Sequence, residues 1–429
     1  MHKILLAFLA FLSRTLITRH KPYVIGVTGT VGKTTITTHI ARYLSHIYGE
    51  QNVMISPYHY NGEYGLPLSI IWARSGGKNP FLWIWVFCVF SRRLLSSYPR
   101  YLILEYGIDH PGEMDFLLSI VVPDIAILTP VAPNHLEQFG NLENYRNNKL
   151  LITRDAKKLI VHESLRPYVD REAYFYGTGG MSDIDASHFS FSLEKWVGAE
   201  VHLHDKHYRI TINAVWAYQI ENILPLYAIA EILSLDPLTI EKNSHIFLPE
   251  SWRSSLIPGK NNATIIDGSY NGGYESMCKS IDAVLSFLPS HRVFFLFWDM
   301  RELGEHAESI HVSLAHYILE KIPKERDVVF FLVGPLMEKY VLPLISPVYP
   351  SYFSLSSRVL WEEIARHLEG WKIPTIVTVK WSQNTIFLEE GIKWFTEEKH
   401  HKNLTRQSPS WMKKKEDFFA MIDKKVYRK

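Results

Sequence analysis

Apolar residues along this chain fall in short continuous runs separated by stretches with helical spacing. "YVIGVTG" (23–29), "YLILEYG" (101–107) and "DIAILTPV" (124–131) are dense in aliphatic side chains and stop at turn or polar residues. That is the signature of strands buried on both faces. "TTITTHIARYLSHIYG" has the spacing of an amphipathic helix and ends at Gly49, a C-cap residue. "AVWAYQIENILPLYAIAEIL" (214–233) reads as helix-rich. A second series of strands starts near "ATIIDGSY" (263–270). It continues through "RVFFLFWDM" (292–300), "DVVFFLVG" (327–334) and "PTIVTVKWS" (374–382). Strands alternating with helices predict parallel sheets covered on both faces.

The expected fold is therefore α/β: a P-loop central domain with a mostly parallel sheet, then a C-terminal Rossmann-like α/β domain. The expected boundaries are an apolar helix over 1–22, a central domain over 23–250, a C-terminal domain over 251–396 and a basic helical tail over 397–429. The lysines of that tail read as a solvated face. Two greasy runs stand apart from the strand pattern, "ILLAFLAFL" (4–12) and "PFLWIWVFCVF" (80–90). Both are shorter than the roughly 20 residues a spanning helix needs. No small-x-small cleavage site follows the first before Pro22. The first reads as a helix packed on the domain, with an interfacial membrane helix as the alternative. The second reads as a buried helix. Together they raise membrane-surface contact through residues 4–12 and 81–90.

Composition narrows the class. The 429 residues are 47% hydrophobic and 21% charged, with a formal net charge of +2. This is a globular chain of more than one domain, with no basic excess that would call for a nucleic-acid partner. Two cysteines, Cys88 and Cys278, make neither a disulfide framework nor a four-cysteine zinc site. The expected compartment is reducing, most simply the cytoplasm, with peripheral attachment at the inner face of the membrane as an extension. Nothing in the pattern sets the oligomeric state.

The candidate chemistry begins at "VIGVTGTVGKTT" (24–35). A strand, a glycine turn and a helix make a phosphate cradle. Backbone N–H groups converge, the helix N-terminus adds positive dipole, and a lysine neutralises charge. Gly29 and Gly32 permit the tight turn. Thr30 and Thr35 complete the loop, Lys33 reaches the phosphates, and the Thr34 hydroxyl suits Mg²⁺. The strict G-x-x-x-x-G-K-[ST] pattern is not met, because Val27 stands at the first glycine; what stands here is G-T-x-G-K-T-T. Glu105, at the end of a strand, is the best-placed carboxylate for the metal.

This loop resembles the ATP loop of the Mur ligase family, the ATP-dependent amide-forming enzymes of peptidoglycan synthesis. Further segments resemble that family in the same order: "YNGEYGLPLSI" (60–70), "LILEYGIDHPGEMDFL" (102–117) and "PDIAILTPVAPNHLEQFGNLENYRNNK" (123–149). "IIDGSYNGGYESM" (265–277), "FWDMRELGEHAESIH" (297–311) and "VTVKWSQNTIFLEE" (377–390) favour the branch that adds D-alanyl-D-alanine to a UDP-linked muramoyl tripeptide. The resemblance implies ATP and Mg²⁺ as cofactors and a small-molecule or precursor-peptide acceptor. It implies His135 as a ligand of a second metal and catalytic group, and Lys149 as a carbamoylated metal ligand. It places Asn222 on the adenine side, with Arg253 and Asp267 toward the nucleotide. Asn271, Lys380 and Ser382 fall on the substrate side.

Several positions depart from the family pattern. Tyr218-Gln219 stands for His-Asn, Trp252 and Trp381 for glycines, and Gly268 for the second aspartate of D-D-S-Y-N. The chain also reaches its ATP loop by residue 29, which leaves the family's UDP-binding N-terminal domain without a counterpart. The reading that follows is an ATP-dependent ligase joining an amino acid or D-alanyl-D-alanine to a muramoyl-peptide-like carboxylate through an acyl phosphate. A catalytically silent ATP-binding relative and an ordinary P-loop phosphotransferase are the alternatives.

Overall fold

The computed structural model describes residues 2–426 apart from 57–59, 61, 78, 135, 193–195, 213, 215–216, 248–254, 269–271, 286–289, 302, 356, 369–372, 381–388, 402–403, 405–406 and 408. The chain forms two compact units, residues 1–248 and 249–429.

The first unit is built on a nine-stranded sheet. Its strands are β1 (Tyr23–Thr28), β2 (Val53–Ile55), β3 (Tyr101–Glu105), β4 (Ile125–Leu128) and β5 (Lys158–His162). They continue as β6 (Tyr174–Gly177), β7 (Ile184–Ser192), β8 (Trp196–Leu203) and β9 (Lys206–Ile212). The spatial order is β2-β3-β1-β4-β5-β6-β7-β8-β9. Pairing is parallel as far as β7 and antiparallel through β8 and β9.

The helices used below are α1 (His2–His20), α2 (Lys33–Tyr48), α3 (Gly62–Ile71), α4 (Pro80–Leu95), α5 (Glu113–Ile120), α6 (Leu136–Phe139), α7 (Leu142–Leu150), α8 (Ala217–Glu221) and α9 (Leu224–Ile232). The strand alternation assigns them to faces. Ile25 and Val27 of β1 join Ile36, Ile40 and Leu44 of α2 and the whole inner side of α9 in one core. Val24, Leu102 and Leu104 point the other way, against Leu9, Leu12 and Leu16 of α1, Leu66 of α3 and Leu117 of α5. Strands β1 and β3 are thus buried on both sides, as their unbroken apolar runs require.

Helix α1 is fixed from two sides, by α3 and α5. Ser13 Oγ donates to Pro67 O at 3.2 Å, and Arg14 reaches Ser119 O at 2.8 Å and Ser119 Oγ at 3.0 Å. Its inner residues are buried, yet its outer face is apolar as well: Ile4, Phe8 and Phe11 are 75%, 44% and 62% exposed. Helix α4 repeats this, burying Val86 and Phe90 while exposing Ile84, Trp85 and Phe87. The second greasy run is therefore not a buried helix. It packs by one face and leaves the other open. No helix among the described residues is long and apolar enough to cross a membrane.

The second unit carries a six-stranded sheet of β10 (Ser255–Pro258), β11 (Ala263–Gly268), β12 (Arg292–Trp298), β13 (Val328–Val333), β14 (Ser351–Ser354) and β15 (Thr375–Lys380). Its order is β10-β11-β15-β12-β13-β14, parallel except for β10. The C-terminal helix Pro409–Val426 does not present every lysine to solvent. Lys415 is 1% exposed and lies 2.7 Å from Glu390, which also meets Lys393 at 2.8 Å. Burial alone would raise the Glu390 carboxyl, but its bonds and proximity to the two ammonium groups outweigh that and hold it below its usual value.

Candidate active site

Strand β1 lies between β3 and β4, and the chain leaves it toward β2 on one side before returning to β4 on the other. The loop after β1 therefore sits where the sheet order reverses, the place where open α/β sheets bind ligands. Hydrogen bonds stitch that loop to both neighbouring strands. Thr28 Oγ1 donates to Tyr106 O at 2.7 Å, and Thr129 N donates to Thr28 O at 2.9 Å. Thr30 N donates to Pro130 O at 2.9 Å, and Thr30 Oγ1 accepts from Ala132 N at 3.1 Å.

Two glycines are required by this geometry. Gly29 has φ +131°, and a Cβ there would overlap Thr129 Oγ1. Gly32 has φ +90°, and a Cβ there would lie 2.6 Å from Asn222 Oδ1. The loop is a concavity that any side chain would fill. Helix α2 opens from it with Gly32 as N-cap, no side-chain cap and no acid in the first turn, so its end is left for an anion. Lys33 Nζ donates to Gly29 O at 2.9 Å and Thr30 O at 3.3 Å, folded back over the loop's own carbonyls. Thr34 and Thr35 lie buried beneath.

The cation side of the site is a buried acid–base cluster. Glu105 ends β3, 7% exposed; its Oε1 accepts from Thr37 Oγ1 at 3.4 Å, and its Oε2 is buried without a hydrogen-bond partner. Thr129 Oγ1, against Gly29, is in the same condition. Unsatisfied buried oxygens at this density are costly unless something binds them. They are the hard donors that Mg²⁺ takes.

Lys149, near the end of α7, is 1% exposed, with its amine 5.1 Å from the centre of the Tyr145 ring. Burial first, and then repulsion from Lys33, push its amine well below the usual lysine range, against the pull of Asp109, Glu113 and Glu105. Those influences mark Lys33, Lys149 and Glu105 as one electrostatic cluster.

Asn222 stands directly after α8, and its place against Gly32 puts it at the phosphate loop. A buried pair orients that helix end: His162 Nε2 meets Glu221 Oε1 at 2.8 Å, while His162 Nδ1 accepts from Ser164 N at 3.2 Å. With Nδ1 accepting, the proton is assigned to Nε2, aimed at Glu221.

In the second unit Asp267 is fully buried at the end of β11, next to Gly268. Gly268 is the register partner of Lys380 on β15. A Cβ on Gly268 would come within 2.9 Å of the Lys380 amine, which donates to Ser276 Oγ at 3.0 Å. The glycine that departs from the family motif is thus the residue that makes room for Lys380.

The structure therefore brings together Gly29, Thr30, Gly32, Lys33, Thr34, Thr35, Glu105, Lys149 and Asn222 in the first unit, and Asp267 with Lys380 in the second. His135, Arg253, Asn271 and Ser382 lie outside the described residues. Thr129, Thr37 and the His162–Glu221 pair were not singled out from sequence. Thr129 was findable, since it follows the strand beside the loop. His110 is bound to Glu113 at 3.2 Å, and His311 is buried between Met300 N and Ala307 O, so both serve local structure.

Residues 27–230 match the Mur ligase middle domain. The UDP-N-acetylmuramoyl-tripeptide–D-alanyl-D-alanine ligase of Haemophilus influenzae is 24% identical over 310 residues, 69% of this chain and 61% of that protein. The ligase of the same description from Bacillus subtilis is 24% identical over 294 residues, 67% of this chain and 58% of that protein. The chain thus spans about six tenths of the length of these curated relatives. Among solved structures, the MurF ligase of Thermotoga maritima in complex with ADP superposes with a TM-score of 0.72 at 23% identity, covering 94% of this chain and 85% of that one. That likeness establishes the α/β architecture.

Proposed function

We propose, on the match of residues 27–230 to the Mur ligase middle domain, that this chain is an ATP-dependent ligase of the Mur ligase kind. It joins an amine, an amino acid or D-alanyl-D-alanine, to a muramoyl-peptide-like carboxylate in cell-wall synthesis. The observation that carries this reading is the cluster of the Gly29–Gly32 cradle, Lys33, Glu105 and the buried amine of Lys149. ATP supplies the phosphoryl group that turns the acceptor carboxylate into an acyl phosphate, and Mg²⁺ neutralises the charge gathered there.

The residues divide the work. The loop N–H groups and the uncapped end of α2 hold the phosphates, and the loop is braced so that little reorganises on binding. Lys33 exchanges the Gly29 and Thr30 carbonyls for phosphate oxygens. Thr34 and Glu105, through its unpartnered Oε2, would be the metal's protein ligands. Burial favours the neutral amine of Lys149, the form that takes up CO₂, releasing a proton and gaining a carboxylate-like group. Its closeness to Lys33 would then turn from repulsion to attraction, and with Glu105 the modified lysine would help hold the metal. His135 is assigned to the second metal, and Arg253, Asp267, Asn271, Lys380 and Ser382 to nucleotide and substrate, on the motifs alone. Asn222 acts at the phosphate loop, on its contact with Gly32.

We also assign a place at the cytoplasmic membrane surface. The support is that α1 and α4 expose Ile4, Phe8, Phe11, Ile84, Trp85 and Phe87, with Arg14, Arg19, Arg92 and Arg93 on the same helices.

The ligase is tested with ATP, Mg²⁺, UDP-N-acetylmuramoyl tripeptide and D-alanyl-D-alanine. Phosphate release that needs both acceptor and amine is the expected result. Release that needs neither refutes the ligase in favour of an ATPase, and nucleotide binding with no release refutes it in favour of a silent relative. Lys33→Ala should lower turnover by about 100-fold or more, the usual loss for a group that meets developing charge.

A further inference from the structure

We propose that the β7–β8–β9 ribbon carries a transition-metal site, with His188, Glu200 and His202 as ligands for a borderline-soft divalent cation such as Zn²⁺. Among the described residues these three place a ligand atom each within 4.8 Å of one another. His188 Nδ1 is 3.2 Å from Glu200 Oε2. His207 Nδ1 is 4.0 Å from Glu200 Oε1, and its ring stands edge-on to that of His202, with centres 4.4 Å apart. Zinc bonds to imidazole and carboxylate are roughly 2.0–2.2 Å long. The ligands must therefore close only slightly, which the exposed His188 and His207 side chains can do.

The backbone is shaped for this grouping. In β7, Ile184 and Ala186 join the core while Asp185, buried, and Ser187, half-buried, lie on the opposite face, as alternation requires. The register then slips between Ser187 and Ser190, and Phe189 returns to the core. His188 is the extra residue and is exposed beside the half-buried Ser187 rather than turned inward. It takes φ +49°, a strained value for a residue with a side chain. Without that bulge a regular strand would send His188 to the opposite face from Ser187, whose register partner is Glu200. Glu200 and His202 share a face of β8 two residues apart, and His207 is the register partner of His202. Ser187 Oγ links the two histidines, 3.0 Å from His188 Nδ1 and 2.8 Å from His202 Nε2.

The chemistry selects the ion. Imidazole nitrogens with one carboxylate suit Zn²⁺, Ni²⁺ or Cu²⁺, and Mg²⁺ poorly. Strand β8 is five strands from β1 in the sheet, about 24 Å at the usual strand spacing, so this is a separate site from the cluster at Glu105. A bound ion would clamp the bulge of β7 onto the β8–β9 hairpin and stabilise the antiparallel edge of the unit.

The test is calorimetric titration of the full-length, tag-free chain with Zn²⁺ in excess Mg²⁺, together with thermal melting with and without Zn²⁺. The variants are His188→Asn, chosen because asparagine tolerates positive φ, and His202→Gln. The account expects Zn²⁺ to bind and to raise the melting temperature of the parent chain. Each variant should bind this equivalent at least about tenfold more weakly and lose the rise. The metal-free melt of each variant reports that it is folded. The chain has 20 histidines, so the difference between parent and variants is the readout. Parent and variants with the same zinc isotherm and the same melting shift, or a parent that takes up no zinc, would overturn the assignment.

Discussion

At the residue scale the site depends on how burial treats ionisable groups. Lys149 is the sharpest case, a lysine with no exposed surface to speak of beside a second lysine. Its role as a carbamate makes two linked predictions. Lys149→Ala should lose about 100-fold or more in turnover while still binding ADP, read by calorimetry. The parent enzyme should lose activity in buffer stripped of CO₂ and regain it with bicarbonate. Full activity in Lys149→Ala contradicts the assignment. His39 shows the same physics without function. It is buried in α2 against Phe247, and desolvation, helped by Arg42, lowers its pKa to about 3. The unfolded chain therefore binds a proton that the folded one refuses between about pH 6.5 and 3, and stability rises with pH across that window. His39→Leu should flatten that limb by up to about 1.4 kcal/mol per pH unit, measured by urea melts at pH 4, 5 and 6. An unchanged slope contradicts it. Sequence gave the residue types at the site but not their burial. Lys149 could have been a surface lysine until α7 placed it inside.

At the element scale the phosphate loop was legible because its constraints are local. Glycine spacing, a preceding strand and a following helix are all written within a dozen residues. What was not legible was the reason for Gly32, since its neighbour Asn222 comes from 190 residues later. The parallel strands β1, β3, β4, β11, β12, β13 and β15 could be read from their unbroken apolar runs. The ribbon β7–β9 was missed, though "KHYRITI" alternates outward and inward from Lys206 to Ile212. One-sided burial halves the apolar signal, and polar outer faces there resemble loops. Gly29→Ala tests the loop as an element. A methyl group meeting Thr129 Oγ1 on a backbone of positive φ should abolish ADP binding, while the melting temperature falls by only a few degrees. Retained ADP affinity would refute the cradle.

At the scale of the whole molecule, the sequence signal at 4–12 and 80–90 resolved into two half-packed helices, where the second was expected to be buried. Each satisfies the core with one face and leaves aromatic side chains outside, the faces through which the proposed membrane contact would act. Flotation with vesicles of phosphatidylglycerol and phosphatidylcholine should carry the protein up, and pure phosphatidylcholine should carry less. Phe11→Ser with Trp85→Ser removes roughly 2–3 kcal/mol of apolar transfer and should weaken binding by about tenfold or more. Equal flotation of parent and variant contradicts the membrane assignment and leaves the ligase untouched.

The central claim is that the acid is activated as an acyl phosphate, and isotope transfer tests it without intermediaries. UDP-N-acetylmuramoyl tripeptide carrying ¹⁸O in its acceptor carboxylate is incubated with the enzyme, ATP, Mg²⁺ and D-alanyl-D-alanine, and the released phosphate is weighed by mass spectrometry. The account predicts phosphate bearing a single ¹⁸O from the carboxylate, with ADP as the other product. Unlabelled phosphate, or AMP with pyrophosphate, would contradict it.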